Sequence, residues 1–165
     1  MSKAISMKLD TSSINDAIKE LKEYKKWVAR KEDKLLQKLA TLGATKASLG
    51  YARAIYNGTN DVEVSVEKSS NGYTVVASGK SVAFIEFGAG ITYGYGHPQA
   101  GEFGVGPGTY PDGKGHWDDP QGWFIPKEAG GGHSYGNPPA MALYNAAREI
   151  EQAIIKVAKE VFASG

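Results

Sequence analysis

Fifty residues in the second half of the chain, 88–137, show neither the helical nor the strand period of apolar residues. They hold 15 of the 21 glycines, five of the seven prolines and all three histidines. They also carry eight aromatic residues: Tyr93, Tyr95, Phe103, Tyr110, Trp117, Trp123, Phe124 and Tyr135. A stretch of this length without periodicity is either functional or disordered, and large rings left in water favour finding a partner surface. We therefore expect this segment to become ordered by contact.

The sequence before this segment predicts a long helix. Apolar residues recur every seven positions over residues 14–42, and charged residues coat the remaining positions, as in a helix with one buried stripe. Because Lys31 and Lys38 leave the second seam of a coiled coil only half apolar, we expect the helix to pack on its own domain. Gly43 is expected to bend or interrupt it, with residues 44–56 continuing as a second helical stretch.

A β-hairpin over residues 61–79 is the clearest local pattern. Valines alternate with Glu and Ser before a turn at residues 70–72, and a second alternating run follows. The apolar run 82–87 then fits either a further strand or a short helix, and its periodicity does not decide between them. The first ten residues also suggest a short strand, with Ile5, Met7 and Leu9 alternating.

The C-terminal residues predict an amphipathic helix. Asn137 is a candidate cap, and Pro138 and Pro139 fit the first helical turn, where a missing N–H costs little. The expected buried stripe steps by four and three: Leu143, Ala147, Ile150, Ile154, Val157 and Val161.

These elements together predict one α+β domain over residues 1–165. A small antiparallel sheet packs against a long N-terminal helix and a C-terminal helix, and residues 88–137 form an extended loop or arm. The chain is long enough to bury a core, and it has no cysteine, which excludes disulfides and thiolate chemistry. No secretory signal or membrane span is evident, so we expect a protein made in the cytoplasm that does not enter a membrane.

Charge is unevenly distributed although the net charge is only +1. Residues 1–56 hold 12 Lys and Arg against 6 Asp and Glu, whereas residues 57–137 hold 4 against 9. A nucleic-acid binder would usually show a clear basic excess. The basic front and the acidic middle could instead attract each other, within one fold or between neighbouring copies.

Candidate chemical sites are weak. The loop holds His97, His116 and His133 with several acids, including the tetrapeptide 116–119, but its histidines lack the helical or tight-turn spacing of metal ligands. Glu86 in an apolar run could be a general acid, yet no second carboxylate or His is tied to it by spacing. An edge-strand position or an ion pair between subunits is the favoured interpretation of Glu86. We therefore predict no catalytic residue, no cofactor and no metal site.

The chain resembles the neck and tail-completion proteins of tailed bacteriophages, often labelled minor capsid or head–tail joining components. The likeness extends over nearly the whole chain and depends on two motifs: Glu86-Phe87-Gly88 after an apolar run, and Asn137-Pro138-Pro139-Ala140-Met141 before the terminal helix. Relatives more often carry Pro, a basic or small residue, Pro and Phe at the second motif. This sequence differs from them because it lacks the aromatic residue.

This resemblance implies a non-enzymatic virion protein that assembles as a homo-oligomeric ring of six copies in the neck. Its partners would be the head-connector or head-closure proteins and the tail-terminator or tail-tube proteins, with DNA passing through the lumen without sequence-specific binding. Ring assembly requires head-to-tail interfaces, for which the arm and the two motifs supply the candidates. The candidate interface residues are Glu86, Phe87, Gly88, Tyr93, Tyr95, Trp117, Trp123, Phe124, Pro138 and Pro139.

Two other functions fit the same residues. A binding module could present Trp117, Trp123 and several tyrosines to a carbohydrate or a peptide. A hydrolase could use the His and Asp residues of the loop, among them His116 and Asp119.

Overall fold

The computed structural model describes residues 8, 10–90, 96–104 and 120–163. The predicted N-terminal strand lies almost entirely outside this part of the chain. The elements in chain order are α1 (Thr11–Ala52), β1 (Glu63–Ser69), β2 (Gly72–Ser78), α2 (Val82–Phe87), β3 (Trp123–Phe124), a 3₁₀ turn (Lys127–Ala129), β4 (His133–Ser134) and α3 (Ala142–Ala163). The predicted α+β class, with a long N-terminal helix, a small antiparallel sheet and a C-terminal helix, is confirmed.

The prediction that Gly43 interrupts the first helix is wrong, because α1 continues without a break to Ala52. Gly43 is buried there, and a Cβ atom at this position would lie 2.5 Å from Cδ1 of Ile150 in α3. At Gly50, an added Cβ would lie 2.7 Å from Cβ and 3.0 Å from Cα of Ala142. These glycines therefore allow close approach of α3 instead of ending the helix.

Helices α1 and α3 pack antiparallel. Lys46 pairs with Glu149 near one end at 3.1 Å, and Trp27 meets the ring of Phe162 edge-on near the other. The Nζ of Lys31 donates to the carbonyl of Val161 at 2.9 Å, where the negative end of the α3 dipole favours a cation. Lys31 is thus a buried partner of α3, although its charge suggested an exposed position.

The buried stripe of α3 departs from the predicted one at Ala147 and at Ile154. Ala142 and Ala146 are buried against α1, whereas Ala147 is exposed. The reason is the closeness of the two helices at Gly50, which only small side chains permit. Val161 is buried as predicted, while Ile154 is 43% exposed.

The first turns of α1 extend beyond α3, since α3 ends beside Trp27. Their apolar stripe lacks cover from the described residues: Ile14 is 38%, Ile18 44% and Leu21 54% exposed. We call this segment, residues 11–26, the helix overhang; at the α-helical rise it is about 24 Å long. The predicted packing of α1 on its own domain therefore holds only for the part of the helix beyond the overhang.

The predicted hairpin is confirmed with its turn. Strands β1 and β2 pair antiparallel, Val66 lies opposite Val75, and Ser69 and Gly72 close a two-residue turn. The sheet packs on α1, where the carboxylate of Asp33 accepts hydrogen bonds from Lys68 at 2.7 Å and from the Tyr73 hydroxyl at 3.0 Å. No helix among the described residues is long and apolar enough to cross a bilayer.

The central core lies at the C-terminal end of α1. It joins buried residues of three helices: Ala47, Tyr51, Ile85, Ala142 and Ala146. Val64 of β1 and Val62, just before β1, pack on the margin of this core. Helix α2 is therefore held between the two long helices, which fixes the position of Glu86.

The contrast between the two glycines is testable by Gly→Ala substitution. Gly50→Ala should lower the free energy of unfolding by about 1–3 kcal/mol, because the new methyl meets backbone atoms of α3. Gly43→Ala should change it by less than about 1 kcal/mol, since the end of Ile150 can move and Ala favours the helix. Urea denaturation measures both. Equal effects of the two substitutions would contradict the close approach at Gly50.

Candidate functional site

Glu86 and Phe87 lie at the end of α2, and Gly88 ends this helix. The run 82–87, which periodicity left undecided, is thus a helix and not a strand. Gly88 has φ +78°, and a Cβ there would lie 2.8 Å from the nitrogen of Pro139. Only glycine meets both requirements, because the backbone is left-handed and a second segment lies against it.

The Glu86 carboxylate caps the N-terminus of α3. Its Oε2 accepts from the backbone N–H of Leu143 and its Oε1 from that of Tyr144, both at 3.0 Å. These are two of the N–H groups that a helix leaves unpaired in its first turn, and the helix dipole favours a negative charge there. Glu86 is only 3% exposed. The edge-strand interpretation is wrong, and the carboxylate is engaged within its own chain.

His97 lies against the same carboxylate. Its Nε2 is 3.5 Å from Oε1 of Glu86, and its ring stacks at a tilt on Phe87 and edge-on against Tyr144. Its Nδ1 accepts the backbone N–H of Gln99 at 3.1 Å, so the hydrogen bonds assign the ring proton to Nε2. His97 therefore attaches the segment 96–104 to the end of α2.

The Tyr51 hydroxyl is buried beside this carboxylate. Burial raises its pKa, and the nearby negative charge of Glu86 raises it further. Although that charge is close enough to act on it, the hydroxyl meets no hydrogen-bond partner with good geometry among the described residues. Tyr51 thus supplies apolar surface to the core at the cost of an unpaired polar atom.

The two motifs that carry the phage resemblance meet in space. Ala89 and Asn137 exchange both backbone hydrogen bonds at 3.0 Å, and the N–H of Ala140 donates to the carbonyl of Ile85 at 2.8 Å. The Asn137 side chain donates to the carbonyl of Phe84 at 2.8 Å. The segment around Pro138 and Pro139 is therefore held along α2.

The predicted start of the C-terminal helix is corrected by this arrangement. Helix α3 begins at Ala142, so Asn137 does not cap it and the two prolines precede its first turn. Asn137 binds α2 and the capping group comes from Glu86, 57 residues earlier than Leu143. Met141, just before the helix, has φ +51°, a strained value for a residue with a side chain.

Trp123 and Phe124 form β3, which pairs with β4 in a two-residue ladder. The N–H of Thr59 donates to the carbonyl of Ala129 at 2.8 Å, so this β3–β4 hairpin sits beyond the C-terminal end of α1. Phe124 is 81% and Tyr135 65% exposed, and both rings contact the ring of His133.

A cavity of about 550 Å³ lies between this hairpin and the core. Its walls are largely aromatic and aliphatic and include Tyr56, Phe84, Trp123 and Ile125. One of its polar groups, the carboxylate of Asp61, accepts hydrogen bonds from the hydroxyl and the N–H of Ser81. The Ser81 hydroxyl and the backbone N–H groups of Lys80 and Ser81 lower the pKa of Asp61 to about 2.

Tyr93, Tyr95, Trp117 and the tetrapeptide 116–119 lie outside the described residues. The interface and metal hypotheses that involve them stay predictions. Among residues 8, 10–90, 96–104 and 120–163, no group of three or more His, Asp or Glu side chains could hold a metal ion.

The described site is suited to holding segments together. Glu86 contacts α3 through two N–H donors, and its remaining neighbours, His97 and Tyr51, are buried as well. This cluster was not predicted, because residues 51, 86, 97 and 143 have no regular spacing. The apolar run around Glu86 was the available signal, since a buried acid needs hydrogen-bond donors.

Removing the charge of Glu86 should weaken the attachment of α3. Glu86→Gln keeps the shape of the side chain but leaves one oxygen to accept from the two backbone N–H groups of Leu143 and Tyr144. Its amide N–H₂ would face one of these donors, and two donors cannot form a hydrogen bond with each other. We expect the free energy of unfolding to fall by about 1–3 kcal/mol. The exposed Glu67→Gln is the matched control and should stay within about 0.5 kcal/mol of wild type. A Gln variant as stable as this control would contradict the capping role.

Tyr51 should make the fold sensitive to high pH. Because its folded pKa is raised, its contribution is complete below the unfolded pKa of about 10 and is lost as pH rises above it. Relative to Tyr51→Phe, wild type should therefore lose up to about 1.4 kcal/mol of stability per pH unit above pH 10. Denaturant titrations of both proteins between pH 7 and 11.5 test this. Parallel stability curves would contradict the burial of an un-ionised hydroxyl.

Comparison with known proteins finds no matching family model, no matching curated protein and no matching solved structure.

Proposed function

We propose that this chain is a structural subunit of a tailed-phage neck or tail-completion ring, in which copies associate head to tail between the head connector and the tail. The ring would leave a lumen through which DNA passes. The proposal is supported by exposed apolar surface at two separate places and by the packing of the two motifs.

The observation that carries the proposal is the position of the two exposed apolar surfaces. The helix overhang lies at the N-terminal end of α1, and the β3–β4 hairpin with Phe124 lies beyond its C-terminal end. At the α-helical rise, α1 itself is about 63 Å long. A head-to-tail interface joins two unlike patches of each subunit, and these two separate surfaces would supply them. Contiguous exposed apolar surface on a protein commonly marks an interaction site.

Net charge contributes little to this arrangement. The overhang, residues 11–26, carries four Lys against three Asp and Glu, and the β3–β4 hairpin, residues 123–134, carries one Lys and one Glu. Contact between these two surfaces would therefore depend on their apolar area.

The motif residues support the proposal in a different way. Glu86, Gly88 and Pro139 hold α2, the segment 96–104 and α3 together, so they would orient the interface instead of forming its surface. Phe124 is the candidate best placed to contact a neighbour, since most of its side chain is exposed.

The experiment combines mass measurement with imaging. The chain is purified alone and mixed with the head-connector and tail-tube proteins of a tailed phage, then studied by light scattering and negative-stain electron microscopy. We expect rings with a central hole, alone or on the connector. Phe124→Ser with Tyr135→Ser should abolish them without changing stability by more than about 0.5 kcal/mol, since both side chains are exposed. Glu151→Gln, at an exposed position of α3 outside both surfaces, is the control and should form rings normally.

Failure to form rings with either partner at any concentration would overturn the proposal. The cavity beside Trp123 favours one other function, a carbohydrate- or peptide-binding module. That function predicts a saturable change in tryptophan emission when oligosaccharides or peptides are added, in a chain that forms no rings.

A further inference from the structure

In the part of the chain that the structure describes, the outer edge of strand β2 has no hydrogen-bond partner. Within that part, strands β1 and β2 pair only with each other, which leaves one open edge on each strand. Among the described residues, no backbone hydrogen bond beyond the hairpin reaches residues 72–78 except that of the Ser69 hydroxyl to the Gly72 carbonyl, at the turn. Two strands are also fewer than a sheet normally needs for independent stability.

The groups on this open edge follow from the register. Ser69 and Gly72 flank a two-residue turn, so this pair exchanges its backbone bonds within the hairpin. Bonded pairs alternate along an antiparallel ladder. The N–H and C=O groups of Tyr73, Val75 and Ala77 therefore point away from β1, in the plane of the sheet.

The two open edges differ in charge. Strand β1 carries Glu63, Glu67 and Lys68, and charged residues of this kind are how proteins protect an edge from pairing. Strand β2, with the sequence GYTVVAS, has no charged residue and no proline over seven positions. It therefore lacks the protection that β1 has.

We propose that β2 of one copy pairs antiparallel with β2 of a second copy about a two-fold axis at Val75, which extends the sheet to four strands. This register is the one in which all seven residues of each strand find an opposite residue. It places Tyr73 opposite Ala77 of the second copy, and Thr74 opposite Val76. The three outward-facing residues of each strand then form bonded pairs across the axis.

Side-chain chemistry selects this partner. In the corresponding β1–β1 pairing about Val66, Glu67 of one copy would lie diagonal to Glu63 and Glu67 of the other on the same face of the sheet, and like charges at these neighbouring positions repel. The β2–β2 pairing brings only uncharged residues together, with β-branched Thr74 and Val76 on the outer face.

This two-fold contact goes beyond the proposed ring, which uses head-to-tail contacts of other surfaces. The dimer would form in the free protein, in the absence of a connector. The two proposals fail separately: a chain that stays monomeric alone but forms rings on a connector would overturn only the β2 pairing.

Two double variants test the pairing with matched positions. Thr74→Lys with Val76→Lys places like charges opposite each other twice across the axis, so the dimer dissociation constant should rise at least about tenfold. Thr74→Lys with Val76→Glu places opposite charges there and should restore the dimer. Within one chain, position 74 lies opposite Glu67 and position 76 opposite Ser65 in both variants, so the hairpin tolerates them similarly. Sedimentation velocity over a concentration series measures the constants, and circular dichroism checks the fold.

Cross-linking tests the register, because the chain has no cysteine. Oxidised mixtures of the Thr74→Cys and Val76→Cys proteins should give a covalent dimer of the two, since these positions face each other as a non-bonded pair about 4.5 Å apart between Cα atoms. Thr74→Cys alone should cross-link far less. A wild-type monomer at all concentrations, a dimer equally stable in both charge variants, or cross-linking of Thr74→Cys alone at the same rate would each overturn the inference.

Discussion

The attachment of α3 to α2 through a single carboxylate determines much of this fold. Glu86 satisfies two N–H groups of the α3 N-terminus and holds His97 at its other side. Because the carboxylate is buried, losing these donors would leave a charge without compensation. The short helix α2 thus acts as a joint where α1, α3 and the segment 96–104 meet.

The packing of α1 on α3 depends on that joint and on small residues. Glu86 fixes where α3 starts, and Gly50 allows Ala142 to approach α1 at this point. Further along, Gly43 receives Ile150, and Lys31 reaches the last turn of α3. The result is a firmly packed helix pair at one end of α1 and an apolar stripe without cover at the other.

Local patterns predicted the helices and the hairpin because their information is periodic. The turn at residues 70–71 and the amphipathic stripe of α3 both follow from spacing along the chain. Three features could not be predicted this way: the continuity of α1 through Gly43, the cap of α3 by Glu86 and the contact of Asn137 with Phe84. Each depends on a partner that lies far away in sequence. A glycine such as Gly43 weakens a helix that is exposed to solvent, but it permits close packing where another helix lies against it.

The helix overhang has a consequence for how tightly a neighbour can hold it. A helical segment of 16 residues is only marginally stable in water by itself, so these turns remain helical because they continue a packed helix. They should fray from Thr11 inward, and their amide hydrogens should exchange fastest in α1. A neighbouring subunit that binds the overhang must first order these frayed turns. This ordering costs part of the binding free energy, which lowers the net affinity and favours reversible over permanent binding.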